Sequence, residues 1–144
     1  LILADEPTTA LDVTIQGEIL KLIRELRADV GASFLFISHD LGLVSSLCDR
    51  IYVMYAGEIV ESGTRDEIFA SPRHPYTRGL IGSVPRLRNN PERLPTIPGR
   101  IPGPADEIEG CRFRPRCPMA EARCMVSPRL EASTSGPATK CWLV

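Results

Sequence analysis

Leu1-Ile-Leu-Ala-Asp-Glu6 and Ser33-Phe-Leu-Phe-Ile-Ser-His-Asp40 are the two stretches that decide the fold of this 144-residue chain. Each is a short apolar run that ends in polar side chains, which is typical of a buried parallel strand. Between them, apolar residues recur at helical spacing from Val13 to Asp29, and Asp12 stands where a helix N-cap belongs. This strand–helix–strand order predicts an α/β layer with a largely parallel sheet.

The acidic pair Asp5-Glu6 follows directly on the first apolar run. Open α/β sheets bind ligands at the carboxyl ends of their strands, so this pair is a candidate site. One carboxylate suits Mg²⁺, which prefers oxygen ligands, and a second can orient and polarise a water that attacks a phosphate. Such a pair alone is weak evidence, because many strands end in acidic residues at the surface. Likewise, a lone histidine such as His39 is often only a packed core residue.

The sequence continues to predict alternating helices and strands up to Val84. Residues 40–48 are predicted to form a helix and residues 50–55 a strand. Ala56-Gly57-Glu58 is predicted to be a turn, with residues 58–61 as the partner strand of a hairpin. Thr64 and Glu67 have capping-box spacing, which predicts a short helix after the hairpin.

The composition changes after Val84. Six prolines lie between Pro85 and Pro104, so this stretch is predicted to be an extended, semi-rigid connector. Residues 1–85 carry 7 basic and 12 acidic side chains, a balance of −5, whereas residues 86–144 carry 10 and 6, a balance of +4. The split indicates two parts with different roles, or simply two solvated surfaces of different charge.

The run Leu3-Ala-Asp-Glu-Pro-Thr-Thr-Ala-Leu-Asp12 resembles the Walker B motif and D-loop of ABC ATPases. Ile37-Ser-His-Asp40, one helix later, resembles the switch-histidine loop of the same family. The resemblance implies that Asp5 helps to hold Mg²⁺ and that Glu6 is the catalytic carboxylate. It implies that His39 contacts the γ-phosphate and the attacking water, and that Asp12 reaches a partner ATPase subunit across bound ATP.

Three other elements of an ABC ATPase are absent from the sequence. A P-loop needs G-x-x-x-x-G-K-[ST], but the two lysines, Lys21 and Lys140, have no such setting. The chain has no Gly-Gly pair for a signature motif, and its one glutamine, Gln16, falls in a predicted helix rather than a Q-loop. All three elements precede Walker B in the family. The chain is therefore expected to be a C-terminal fragment that binds and hydrolyses no ATP alone.

The remainder of the chain narrows the resemblance to the ATPases of oligopeptide/dipeptide importers. The residues that carry it are Arg50 to Gly63, Ser71-Pro-Arg-His-Pro-Tyr-Thr-Arg-Gly-Leu80, Ile97 to Pro104, and Gly110-Cys-Arg-Phe-Arg-Pro-Arg-Cys-Pro118. The implied fold is the C-terminal part of an ABC-type P-loop nucleotide-binding domain, followed by a Pro-rich, Cys-containing extension. The implied domains are residues 1–84 and residues 85–144.

The resemblance also implies the setting of the full-length subunit. It would hydrolyse ATP with Mg²⁺ and power peptide import, as a peripheral protein on the cytoplasmic face of the plasma (inner) membrane. Its partners would be a second ATPase subunit, transmembrane permease subunits and, indirectly, an extracytoplasmic substrate-binding protein. The alternatives are a non-transport ABC ATPase and a Cys/Arg module that binds nucleic acid; the expectation is no nucleic acid partner.

Four of the five cysteines lie in the second part with the spacing C-x₅-C-x₆-C-x₁₆-C: Cys111, Cys117, Cys124 and Cys141. In a reducing compartment, thiols grouped in this way indicate a metal rather than disulfides. The gaps are wider than those of paired zinc knuckles. Some members of the family that this chain resembles carry a [4Fe–4S] cluster in this extension. A cluster is therefore the first expectation, with no metal and zinc as the alternatives.

Overall fold

The structure is a computed structural model that describes residues 1–85, 95–103, 105–133 and 136–144. The chain divides into two compact units, Leu1–Cys48 and Asp49–Val144. Residues 86–94 and 104 of the predicted connector lie outside the described residues. The described part of the connector, residues 95–103, contains no helix or strand.

The first unit is the β-α-β arrangement that the opening sequence predicts. Strands β1 (Ile2–Asp5) and β2 (Phe34–Ile37) pair in parallel and in register, and helices α1 (Val13–Val30) and α2 (Leu41–Leu47) follow them in turn. Parallel strands need such a crossover, because a tight turn cannot return the chain in the same direction. The register sets Asp5 opposite Ile37, so both strands end at one edge.

Both helices of this unit begin at an aspartate. The Asp12 carboxylate accepts hydrogen bonds from the backbone N–H groups of Thr14 and Ile15, and Asp40 does the same for Gly42 and Leu43. These contacts satisfy N–H groups that have no partner within the helix. The N-cap predicted at Asp12 is confirmed.

The second unit is built on a four-stranded sheet. Its strands are β3 (Arg50–Tyr55), β4 (Glu58–Thr64), β5 (Glu131–Ser133) and β6 (Gly136–Thr139), arranged in the order β3-β4-β6-β5. Its helices are α3 (Arg65–Ala70) and α4 (Pro75–Gly82), with 3₁₀ turns at Arg114–Arg116 and Ala122–Met125. The capping box predicted at Thr64 and Glu67 is present at the start of α3.

The prediction of a largely parallel sheet is wrong for this unit, because every pairing in its sheet is antiparallel. The physical reason is local. The turn between β3 and β4 is too short for a parallel crossover, so the chain must reverse. The sequence predicted that hairpin correctly, but β5 and β6 add two further antiparallel strands that the apolar pattern did not indicate.

The core of the second unit lies between its sheet and the segment that carries the cysteines. Tyr55, Tyr76, His74 and Phe113 form an aromatic cluster, with Phe113 in contact with all three other rings. The fully buried Glu61 of β4 accepts hydrogen bonds from the backbone N–H groups of Arg73 and His74. A buried carboxylate needs such partners, and here they fix the loop that leads into α4.

Across the described ranges, none of the helices has both the length and the apolar character needed to cross a bilayer.

Candidate functional site

The ends of the two parallel strands bring Glu6 and His39 together. Glu6 is the first residue after β1, and His39 lies two residues after β2. The Glu6 Oε1 and His39 Nδ1 atoms are 2.9 Å apart. Since a carboxylate can only accept, Nδ1 donates in this contact. Two side chains that are 33 positions apart in sequence therefore form one acid–base pair at the carboxyl edge of the sheet.

The backbone and a second side chain fix the position of Glu6. Its φ of +47° lies in the left-handed region, which is uncommon for a residue with a Cβ. The Glu6 N–H donates to the Ile37 carbonyl at 2.9 Å, and Thr9 Oγ1 donates to Glu6 Oε2 at 2.6 Å. Conformations of this kind are held where the surroundings constrain them, often at functional sites.

These hydrogen bonds shift the acidity of both members of the pair. The Thr9 hydroxyl, and then His39, hold the pKa of Glu6 below its usual value. The Glu6 carboxylate raises the pKa of His39, mainly through their hydrogen bond. The side chain of His39 is 77% exposed and that of Glu6 36%, so both face solvent and are accessible to a ligand.

Asp5 and Asp12 lie near this pair in sequence but in different surroundings. Asp5 is exposed at the last position of β1, next to Glu6. An exposed carboxylate at that edge is a suitable oxygen ligand for a hard cation. Asp12 is exposed, and its Oδ1 is engaged as the N-cap of α1.

The second unit holds a separate cluster of sulfur atoms. One cavity, which we call the thiol cavity, is lined by four cysteines, the cavity cysteines: Cys111, Cys117, Cys124 and Cys141. His74, Phe113 and Arg114 also line it. The four cavity cysteines are free thiols and form no disulfide. Among the described residues, no group of three or more His, Cys, Asp or Glu side chains is arranged to hold a metal ion.

Strand β6 and the turn at Gly110 bring the cavity cysteines together. Cys141 follows β6, which pairs with β4, and the neighbouring Lys140 N–H donates to the Val60 carbonyl at 2.8 Å. The Cys111 N–H donates to the Cys124 carbonyl at 2.9 Å. Sheet pairing therefore brings the most distant cysteine in sequence to the same cavity as the others.

Burial affects the chemistry of these thiols. It raises the pKa of Cys111, Cys117 and Cys141, with smaller contributions from the neighbouring sulfurs. A raised pKa keeps a thiol protonated at neutral pH and makes it a poor nucleophile. A metal that bound here would have to displace those protons.

The sequence matches known proteins along nearly its whole length. Residues 60–124 match the family described as the oligopeptide/dipeptide transporter, C-terminal region. A peptide import ATP-binding protein of Brucella abortus is 52% identical over 141 residues, which are 98% of this chain and 42% of the relative. The chain belongs to the ATP-binding proteins of oligopeptide/dipeptide transporters.

Two further relatives carry the same kind of name. The oligopeptide transport ATP-binding protein OppD of Haemophilus influenzae is 46% identical and covers 99% of this chain. The corresponding AppD protein of Bacillus subtilis is also 46% identical over 99% of the chain. The chain spans 44% of the length of each. The family resemblance inferred from the sequence is confirmed.

Two residues of these two sites were missed by sequence reasoning. Thr9 is the hydroxyl donor to Glu6, and His74 is a member of the thiol cavity. Thr9 lies three residues after Glu6, a spacing that allows a local side-chain contact at a turn. His74 carried no such signal, because its approach to the cysteines depends on the fold of the whole unit.

Gly110 offers a direct test of how the cavity is built. Its φ is +79°, and a Cβ there would overlap the carbonyl oxygen of Cys124 and the backbone of Met125. Gly110→Ala should therefore destabilise the chain by at least about 1–2 kcal/mol, from the left-handed backbone alone. Thermal unfolding measures the loss. Gly82→Ala is the matched control, since a Cβ at Gly82 would meet nothing within 4 Å. An unchanged melting temperature for Gly110→Ala would contradict this account of the turn.

Proposed function

We propose that the full-length subunit containing this chain hydrolyses ATP and thereby drives peptide import through membrane-embedded partners. The contact between Glu6 and His39 carries the proposal, because it joins an acid and a base at a ligand-binding edge. The names of the relatives, peptide import and oligopeptide transport ATP-binding proteins, support it. The test is ATP hydrolysis by the full-length subunit reconstituted with its permease, with and without peptide.

Each residue of the pair has a role that follows from its position. Glu6 accepts a proton from the attacking water and orients it, since a carboxylate with a lowered pKa is ionised at neutral pH. His39 keeps Glu6 oriented through Nδ1, and its exposed ring is free to contact the terminal phosphate of ATP. Asp5 would hold Mg²⁺, which neutralises phosphate charge when bound.

The proposed partners follow from the same edge of the sheet. Asp12 lies at the start of α1, and we assign it to the contact with a second ATPase subunit across bound ATP. Transmembrane permease subunits would convert ATP hydrolysis into transport, with a substrate-binding protein acting through them. The subunit would then work as a peripheral protein on the cytoplasmic face of the inner membrane.

A module that binds nucleic acid is the weaker candidate. Four arginines lie around the cysteines: Arg112, Arg114, Arg116 and Arg123. Each of them has a protein partner. Arg112 contacts Glu58 and the Ala56 carbonyl, and Arg116 donates to the Pro98 and Ile97 carbonyls. Arg114 contacts Met125, and Arg123 contacts Glu121. These contacts favour a structural role for the arginines.

The thiol cavity is proposed to hold a [4Fe–4S] cluster. The support for this proposal is the chemistry of the donor set: four thiols line one cavity, and thiolates are the usual ligands of such clusters. A bound cluster would cross-link distant parts of the chain. It would also give the chain a redox-active centre. The cavity cysteines would hold it, and the surrounding backbone contacts of Cys111, Cys124 and Lys140 would fix their positions.

Thr9 is proposed as a positioning residue for Glu6. Thr9→Val removes the hydroxyl that donates to Glu6 Oε2 and keeps the branched shape. In the full-length subunit we expect a lower kcat with an unchanged KM for ATP, because the carboxylate is less well oriented. The loss should be smaller than for removing the carboxylate itself. Steady-state kinetics measures both constants, with Thr14→Val on α1 as the matched control. A kcat equal to that of the wild type would contradict the role.

A further inference from the structure

Two residues that line the thiol cavity each carry a buried side-chain N–H group that has no hydrogen-bond partner. Among the described residues, three buried side-chain nitrogen or oxygen atoms have no partner: His74 Nε2, Thr77 Oγ1 and Arg114 Nε. Two of the three, on His74 and Arg114, belong to residues that line the cavity. Buried polar groups are seldom left unpaired, because each one costs desolvation energy. Unpaired donors around a cavity of thiols therefore indicate an acceptor that binds there.

The protonation of His74 is fixed by its other ring nitrogen. The backbone N–H of Tyr76 donates to His74 Nδ1 at 3.1 Å, so Nδ1 uses its lone pair and carries no proton. A neutral imidazole then bears its proton on Nε2. His74 is only 1% exposed, which keeps that N–H away from solvent. The ring therefore presents a buried donor, held in place by its role as the N-cap of α4.

The same protonation argues against His74 as a metal ligand. A histidine that binds a metal does so through a nitrogen lone pair. Nδ1 is occupied by Tyr76, and Nε2 would have to lose its proton. Donating a hydrogen bond to a sulfur atom requires no change in the protonation of either nitrogen. The donor role therefore agrees with the hydrogen bond from the Tyr76 N–H to His74 Nδ1.

Resting on the proposed cluster, we propose that His74 Nε2–H and Arg114 Nε–H donate hydrogen bonds to sulfur atoms of the iron–sulfur group in this cavity. Arg114 adds a positive charge beside a site whose thiolates are negative. Hydrogen bonds to the sulfurs of a cluster help to set its reduction potential. Because reduction adds negative charge, these donors stabilise the reduced state and raise the potential.

Two substitutions of His74 separate the donor from the helix cap. His74→Asn keeps an oxygen that can accept from the Tyr76 N–H but has no atom at the position of Nε2. His74→Gln places an amide N–H near that position and is the poorer N-cap. If His74 acts as a donor, the reduction potential of the cluster in His74→Gln should resemble that of the wild type, and the potential in His74→Asn should not. If His74 acts only as a helix cap, His74→Asn should resemble the wild type and His74→Gln should not.

The experiment is an anaerobic redox titration of the whole chain after reconstitution with ferrous iron and sulfide. For His74→Asn we expect a tenfold lower ratio of reduced to oxidised cluster at a fixed potential, which is about 59 mV for one electron. Arg114→Lys, which keeps the charge and loses the Nε–H, should shift the potential in the same direction. Thr77→Val is the matched control: it removes the third unpaired atom, does not line the cavity, and should leave the potential unchanged.

The possible outcomes test the proposed hydrogen bonds separately from the proposed cluster on which they depend. A wild-type chain that takes up no iron and sulfide overturns both. A loaded wild type whose potential equals that of His74→Asn overturns the hydrogen-bond role alone. Loss of the cluster in both His74 variants shows that the imidazole ring itself is needed to build the cavity, and it also overturns the inference. Loss in Asn but not in Gln supports it, since only the donor separates the two.

Discussion

In the full-length subunit, Glu6→Gln should lower ATP hydrolysis by about 10²–10⁴-fold while ATP binding is retained. The amide has almost the shape of the carboxylate but cannot take a proton from the attacking water. Its amide oxygen can still accept from His39 Nδ1, and its NH₂ group can donate to the oxygen of the Thr9 hydroxyl, so both contacts and the local geometry are kept. Binding is retained because the proposed Mg²⁺ ligand is Asp5, which the substitution leaves in place.

Two assays on one preparation test this expectation. Phosphate release measures hydrolysis, and equilibrium binding of Mg-ATP measures affinity. Glu18→Gln is the matched control, since it makes the same chemical change on α1, outside the site, and should hydrolyse ATP normally. His39→Ala should also lose most turnover, because Glu6 loses its partner. Hydrolysis by Glu6→Gln at the wild-type rate would remove Glu6 from the catalytic role.

The first unit shows how much of a fold and a site can be predicted from sequence. The two apolar runs predicted β1 and β2, and parallel pairing then required the residues after them to meet at one edge. The roles expected for Glu6 and His39 came from the family resemblance rather than from this pattern. The 2.9 Å contact between their side chains was not itself predicted.

The second unit shows why the remainder could not be predicted. Strands β5 and β6 are only three and four residues long, and β6 carries Gly136 and Pro137, which are unfavourable in strands. Their pairing depends on β4 rather than on their own sequence. The convergence of Cys141 with the other cavity cysteines follows from that pairing. The spacing of the cysteines indicated a shared site, but it did not indicate which strand pairing would bring Cys141 there.

Helix α1 illustrates a different limit. The helical spacing of its apolar residues correctly predicted a helix. That spacing does not indicate how deeply the apolar face of the helix is buried. Leu22 is 58% exposed and Leu26 39% exposed in the first unit. Periodicity therefore identified the element and its boundaries, whereas burial depends on which surfaces the rest of the fold supplies.

Cys124→Ser should abolish iron binding by the chain, from about four iron atoms per chain in the wild type to near zero. Cys124 is the most buried of the cavity cysteines, at 6% exposure, and its carbonyl also anchors Cys111. The hydroxyl of serine is a poor replacement for a thiolate ligand, and here it has little room to reorient. Anaerobic purification, with iron and sulfide analysis and the absorbance of the cluster, measures the loss.

Cys48→Ser provides the control within the same chain. Cys48 belongs to the first unit, and it is not among the residues that line the thiol cavity. Its replacement should leave the iron content unchanged, which separates the loss of a ligand from the loss of any cysteine. Since metal binding supplies folding energy, Cys124→Ser should also melt at a lower temperature than Cys48→Ser. A colourless wild-type chain with one bound zinc, or iron retained by Cys124→Ser, would show that the cavity holds no [4Fe–4S] cluster of this kind.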